Sequence, residues 1–351
     1  MPDPGSCLCP FFIPSNPTYH RASSNNRIQC HSDSALGPSE CRSTLLVFQE
    51  WSIVFGIVIS YWTSFGTRYM AGEWSWRLPF LLQIMPLFNL AAGIMVLSFS
   101  PRWLASKGRN KEALQSFSRL RRLPITDRRV RQEYMDSQAE LNCFRKRTWR
   151  RIHIAIMIPF FQQFSGINAL IYYSPTFETM GFDLSIQLIM SGVLNSLQLV
   201  GCTSTVWTMD TLGRRKLLFA GSVSETISHN IIAALVGRYS SNWASHQTAG
   251  WVSAAFLLVY MVAFGAAWGP VGLAIPSEIF PSSLRAKGVA IATCSNWLNN
   301  FIIGLITLPL IEGTGYGTYV FFAVFCGLSG IWTFFFVGDD GAHARADGPC
   351  F

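Results

Sequence analysis

Eight apolar stretches, at roughly residues 44–66, 77–99, 152–177, 185–208, 217–237, 251–275, 288–311 and 317–337, constrain this chain more than any other feature. Crossing a bilayer takes about 20 mostly apolar residues in a helix, and each stretch offers that length. In lipid only a helix or a closed barrel satisfies its own backbone, so the pattern predicts an all-α polytopic membrane protein. Composition agrees. Only 13% of the 351 residues are charged, against about a quarter in soluble domains.

The net charge of +8 could suggest nucleic acid until it is located. Residues 101–151 hold 15 Lys/Arg against 5 Asp/Glu, so one loop exceeds the excess of the whole chain. Basic loops stay on the cytoplasmic side. Counting spans alternately from that loop also places Arg214, Arg215 and Lys216, and then Arg285 and Lys287, on the same side. Both termini then lie in the cytoplasm, and a lipid bilayer rather than a nucleic acid is the expected partner. The organisation that follows is a polar, Ser- and Pro-rich segment at 1–43 read as disordered, two spans in 44–99, and a basic loop at 100–151. Six spans follow in 152–337, then a cytoplasmic tail at 338–351. Within the loop, Ala113, Leu114, Phe117, Leu120 and Leu123 recur at helical spacing among cations. That fits a helix on the membrane surface, or a solvated linker helix packed on the bundle.

Cysteine and histidine usage supplies no catalytic or metal framework. Cys202, Cys294 and Cys326 sit in apolar runs, where a thiol acts as a small hydrophobe. Cys7, Cys9, Cys30 and Cys41 lack a C-x-x-C pair, and the six histidines are scattered. The chain reads as neither an enzyme nor a holder of a metal or cofactor.

The stretch PFFQQFSGINALIYYSPTF, Pro159 to Phe177, is apolar enough to span yet carries five large polar side chains. At about 100° per residue, Gln162, Asn168, Tyr172 and Tyr173 share an arc of roughly 140° on a straight helix, while Gln163 lies about 100° outside it. Ser165-Gly166 and Pro175 are places where such a helix can loosen or kink. These groups suit a ligand rich in hydroxyls; the alternative is that they bond neighbouring helices. Asn195 and Gln198 in the next span, and Asn296, Trp297, Asn299 and Asn300 in the seventh, extend the pattern towards one shared cavity.

Charges gather at cytoplasmic helix ends. Asp210, Arg214 and Arg215 fall in DTLGRR, and Glu278 faces Arg285 across PSEIFPSSLR, an arrangement suited to a latch that locks one conformation. Glu225 lies inside the fifth span with His229 one turn on. An intramembrane carboxylate is a functional candidate, here a proton relay, with a polar interhelical gap as the plainer alternative.

Taken together, PFFQQFSGINALIYYSP, DTLGRRK, PSEIFPSSLRAKG and SPRWL resemble the sugar-transporter family of the major facilitator superfamily, with QEWSI and CSNWLNNFIIG similar to fungal hexose carriers. The resemblance covers residues 44–337. It implies a major-facilitator-type bundle of two six-helix halves that exposes a monosaccharide alternately to each side. This chain corresponds to about eight transmembrane helices: two of the N-terminal half and all six of the C-terminal half. Carried over residue by residue, sugar contacts fall on Gln162, Gln163, Asn168, Asn195, Asn296, Trp297 and Asn300, and gate charges on Arg102, Asp210, Arg214, Arg215, Glu278 and Arg285. Phe99 stands where the family has an acid, and Leu273 where a tryptophan is expected. The function implied is hexose-like transport at the plasma membrane, as uniport or proton symport, impaired where four helices are lacking. A membrane sugar binder or sensor, or an inactive carrier fragment, is the alternative.

Overall fold

The computed structural model describes residues 39–96, 104, 108–121, 124–127, 148–172, 182–239, 243–280 and 285–338. These form eleven α-helices: α1 Ser39–Thr67, α2 Trp74–Val96, α3 Asn110–Arg121, α4 Thr148–Phe164, α5 Ile167–Tyr172, α6 Leu184–Leu212, α7 Arg214–Tyr239, α8 Gln247–Ala266, α9 Trp268–Ile279, α10 Arg285–Thr314 and α11 Gly317–Phe336. One 3-10 turn spans Trp243–Ser245, and the described residues contain no strand. Every expected apolar stretch carries a helix, and α3 falls within the loop segment read as amphipathic.

Two expectations are refined. The helix expected from residue 44 starts at Ser39, because SECRST continues the hydrogen-bond ladder beyond the apolar run with residues that tolerate helix. The expected disorder therefore does not extend to 39–43, and residues 1–38 lie outside those described. The stretches at 152–177 and 251–275 are each split in two, at Ser165-Gly166 and at Ala267.

Four segments, Leu184–Met209, Gln247–Ile279, Lys287–Thr314 and Gly317–Phe336, are long and apolar enough to cross a membrane by length and composition. By contrast α7 carries Arg214, Arg215, Lys216, Glu225 and His229. Packing resolves part of that contrast, since α7 lies along α11 and α8 and buries Glu225 and His229 against protein, while the cations stay at its end with Lys216 exposed.

The described residues divide into two compact units, the larger drawn from Val47–Pro79, Trp149–Ile279 and Lys287–Phe351. In the smaller unit α3 starts with Arg109 bonded to Glu112 at 2.9 Å, and Ala113 packs under Leu104. In the larger unit α8 packs along α6 and α7. The α6–α8 crossing needs small residues. A Cβ at Gly201 would collide with the Val262 carbonyl oxygen, and one at Gly265 with that of Gln198. Close backbone approach of this kind drives helix association in lipid, where apolar burial gives no advantage. Side chains of α1 reach α6 as well: Trp51 Nε1 donates to Thr203 Oγ1 at 3.0 Å, Tyr61 Oη to the Leu188 carbonyl at 2.6 Å, and Trp62 Nε1 to Ser196 Oγ at 3.1 Å.

Candidate functional site

The break between α4 and α5 organises the site. The Gly166 amide bonds the Gln163 carbonyl at 3.2 Å, a tightened turn, and the ladder resumes with Leu170 N–H on the Gly166 carbonyl at 3.1 Å. Gly166 has φ +93°, and a Cβ there would lie 2.8 Å from Cγ of Phe322. Both the backbone and the packing therefore require glycine.

The break interrupts the ladder at the Ser165 carbonyl. Among the described residues no backbone amide bonds the Ser165 carbonyl. A buried carbonyl left alone costs about 1–3 kcal/mol, and three helices supply its donors instead. Tyr260 Oη of α8 donates at 3.0 Å, His229 Nε2 of α7 lies at 3.1 Å, and Cys326 Sγ of α11 approaches to 3.8 Å. A carbonyl only accepts, so Nε2 carries the imidazole proton. Rings of Tyr260, Phe322 and Tyr319 surround His229, with centroids at 4.7, 5.8 and 6.4 Å.

Around this break the amides form a chain. Asn168 Nδ2 donates to Gln163 Oε1, and Gln163 Nε2 donates to Asn296 Oδ1 of α10 at 2.6 Å. One strand of hydrogen bonds thus links α5, α4 and α10. It ends in an amide oxygen on Asn168 and an amide nitrogen on Asn296. The straight-helix projection is corrected here: it set Gln163 apart from Asn168, whereas the rotation at Gly166 brings them together. Gln162 turns elsewhere. Its Nε2 donates to the Trp268 carbonyl at 3.1 Å and packs 3.1 Å from where a Cβ of Gly272 would lie. Gln162 thus makes an interhelical bond through its Nε2.

On α6, Asn195 and Gln198 are buried, and their side-chain oxygens have no donor among the described residues. On α10, Asn299 Nδ2 bonds its own helix, at the Ser295 carbonyl, at 2.7 Å. Asn300 is half-buried, and Trp297 is 65% exposed on a different face from Asn299. A groove of about 430 Å³ lined by Leu197, Ser224, Val259 and Ala263 contains none of the expected polar residues. Tyr172 is helical but its side chain is outside the described set, as are those of Asp210 and Arg285; Tyr173 and Arg102 lie outside the described residues.

At the far end of α9, Glu278 Oε1 meets Arg214 Nη2 at 3.2 Å, with the two side chains 25% and 16% exposed. Arg285, the partner expected from spacing, has its side chain outside the described set; the tight α6–α7 turn delivers Arg214 to Glu278. Arg215 Nη2 donates to the Phe334 carbonyl at 2.7 Å and sits over the Phe334 ring at 5.0 Å. Glu225 is fully buried on α7; Cys326 Sγ lies 3.7 Å from its Oε2, while Oε1 has no partner among the described residues. Sequence reading missed Tyr260, whose only signal was a lone phenol in the apolar run FLLVYMVAF. It also missed the acceptor role of the Trp268 carbonyl, which no side chain announces.

This bundle with a polar interior defines an integral, multi-pass membrane protein of the major-facilitator type. Residues 32–339 match the sugar (and other) transporter family, and the chain belongs to that family. It is 31% identical over 311 residues to the sugar transport protein MST2 of rice, covering 83% of this chain and 59% of that one. To the sugar transporter STL1 of Saccharomyces cerevisiae it is 30% identical over 307 residues, covering 83% and 53%. Among solved structures it is similar to the proton:xylose symporter XylE bound to 6-bromo-6-deoxy-D-glucose, with a TM-score of 0.71 and 25% identity over 87% of this chain and 66% of that one. The chain therefore spans somewhat over half the length of these curated relatives.

Proposed function

We propose that this chain carries one wall of a monosaccharide site in a carrier of alternating access. The observation behind this reading is the amide chain Asn168–Gln163–Asn296, which crosses three helices and ends in one acceptor and one donor. Sugar hydroxyls both donate and accept, so a hexose can cap both ends at once. Asn195 Oδ1 and Gln198 Oε1, buried without donors, add acceptors that hydroxyls can satisfy. The similarity to rice and yeast sugar transporters supports a hexose-like substrate.

In this reading Gln163 and Asn168 hold the sugar, with Asn195, Asn296 and Asn300 beside them and Trp297, Tyr172 and Tyr173 offering apolar ring faces. The Arg214–Glu278 pair, with Asp210, Arg215, Arg285 and Arg102, forms the cytoplasmic latch; it is partly exposed, so it biases a conformation rather than holding the fold. Its basic turn, with the 100–151 loop, supports cytoplasmic termini, and we assign the protein to the plasma membrane. Proton coupling through Glu225 and His229 belongs to the same proposal, in keeping with the symporter neighbour.

Purified full-length chain in lipid vesicles tests it. D-glucose or D-xylose should bind saturably, and Gln163→Ala should weaken binding about tenfold, the loss of two amide contacts at roughly 0.6–0.7 kcal/mol each. Flux of labelled sugar above that of empty vesicles establishes a carrier; binding without flux leaves a membrane sugar binder. Absence of saturable binding by the wild-type chain overturns both readings.

A further inference from the structure

We infer that His229 and Tyr260 are positioning residues of the sugar wall, acting through the Ser165 carbonyl. That carbonyl belongs to the peptide between Ser165 and Gly166, the joint across which Gln162 and Gln163 on one side face Asn168 on the other. Turning that peptide plane changes the phase of α5 relative to α4, and with it the amide chain. A carbonyl oxygen has two lone-pair directions. Tyr260 Oη at 3.0 Å and His229 Nε2 at 3.1 Å occupy them from α8 and α7. Ser165, His229 and Tyr260 are all buried, so water does not substitute when either donor is lost. Tyr260 touches the joint a second time, its Oη lying 3.2 Å from Ser165 Oγ, which itself donates to the Gln162 carbonyl at 2.8 Å. Ring packing by Tyr319 and Phe322 fixes the imidazole where its proton is needed.

This gives His229 a role that does not require it to titrate. A relay needs a group that gains and loses a proton, whereas this joint needs only a fixed N–H donor. Around His229 the groups that could exchange protons are Glu225 on its own helix, Tyr260 on α8, and Cys326 and Tyr319 on α11. The geometry commits Nε2 to the carbonyl, and this bond stands whether or not Nδ1, which has no partner among the described residues, takes up a proton.

The test uses the full chain in detergent micelles with three variants: Tyr260→Phe, His229→Leu and His229→Gln. Amide hydrogen exchange over residues 164–170 reads the joint without any sugar, and equilibrium binding of D-glucose reads the wall. Tyr260→Phe and His229→Leu are expected to speed exchange of this segment about tenfold while leaving α6 and α11 unchanged, and to weaken D-glucose about tenfold. His229→Gln, which keeps an N–H donor and cannot titrate, should restore both to within about threefold of wild type. Unchanged exchange in Tyr260→Phe and His229→Leu overturns the inference, as does a His229→Gln variant that behaves like His229→Leu. The sugar arm rests on the proposed function; if the wild type binds no D-glucose that function falls, while the exchange arm still decides the positioning role.

Discussion

Two helices of the larger unit are broken, and they are broken differently. At Ser165-Gly166 the backbone enters the left-handed region, and its freed carbonyl is taken by side chains of other helices. At Ala267 the backbone stays at φ −123°, and its own N–H bonds the Ala263 and Phe264 carbonyls at 3.0 and 3.2 Å. The first break is held by side chains of three helices, whereas the second keeps the bonds of its own N–H and takes one outside donor, Thr205 Oγ1 of α6, onto the Ala266 carbonyl at 2.9 Å. A discontinuous helix in a membrane must have its loosened groups satisfied by protein, and these are two ways of doing so. The first ties the position of the amides to the packing of three helices. At the second, Gln162 Nε2 reaches the Trp268 carbonyl at the start of α9, so one break is tethered to the other.

The largest effect that separates them is expected at Gly166. Gly166→Ala puts a Cβ into the left-handed region, at about 1–2 kcal/mol, and drives it into Phe322 at 2.8 Å, where overpacking adds about 1–3 kcal/mol. Thermal unfolding in detergent should show a loss of roughly 2–5 kcal/mol. A variant as stable as wild type would mean that the first break is not held by packing after all.

The tether itself comes next. Gln162→Leu keeps the volume of the side chain but removes the donor to the Trp268 carbonyl. Interhelical hydrogen bonds in membrane proteins contribute about 0.6–1.7 kcal/mol, so a loss near 1 kcal/mol is expected. Amide exchange at residues 267–269 should rise along with it. Faster exchange at 165–167 alone would show that Gln162 serves its own break and not the other.

The helices were legible because apolar length is a one-dimensional property. So was the polar character of PFFQQFSGINALIYYSPTF, and Ser165-Gly166 was visible as a place where the helix loosens. Which amide faces which could not be read. On a straight helix Gln163 points away from Asn168, and only the rotation at Gly166 joins them. The same limit applies to Glu278, which Arg214 meets from a turn 64 residues away. Gly269-Pro270 offered the signal for the second break, since Pro270 lacks the N–H that the Ala266 carbonyl four residues back would accept, and Thr205 Oγ1 meets that carbonyl instead. Ala267 itself is silent.

That silence makes Ala267→Gly the finest test of the contrast. If local geometry holds the second break, glycine there should be accepted with only the usual penalties. These are extra backbone entropy in the unfolded chain, roughly 0.5–1 kcal/mol, and loss of the methyl packed towards Gly221. Since φ is negative and the N–H keeps both acceptors, no new conformation is needed and no donor is stranded. Thermal unfolding should fall by about 1–2 kcal/mol, with exchange at 165–170 unchanged because Gln162 still finds the Trp268 carbonyl. A loss as large as that of Gly166→Ala, or faster exchange at the first break, would show that both breaks form one cooperative joint. The amide wall would then depend on α8 and α9 as strongly as on the Ser165 carbonyl.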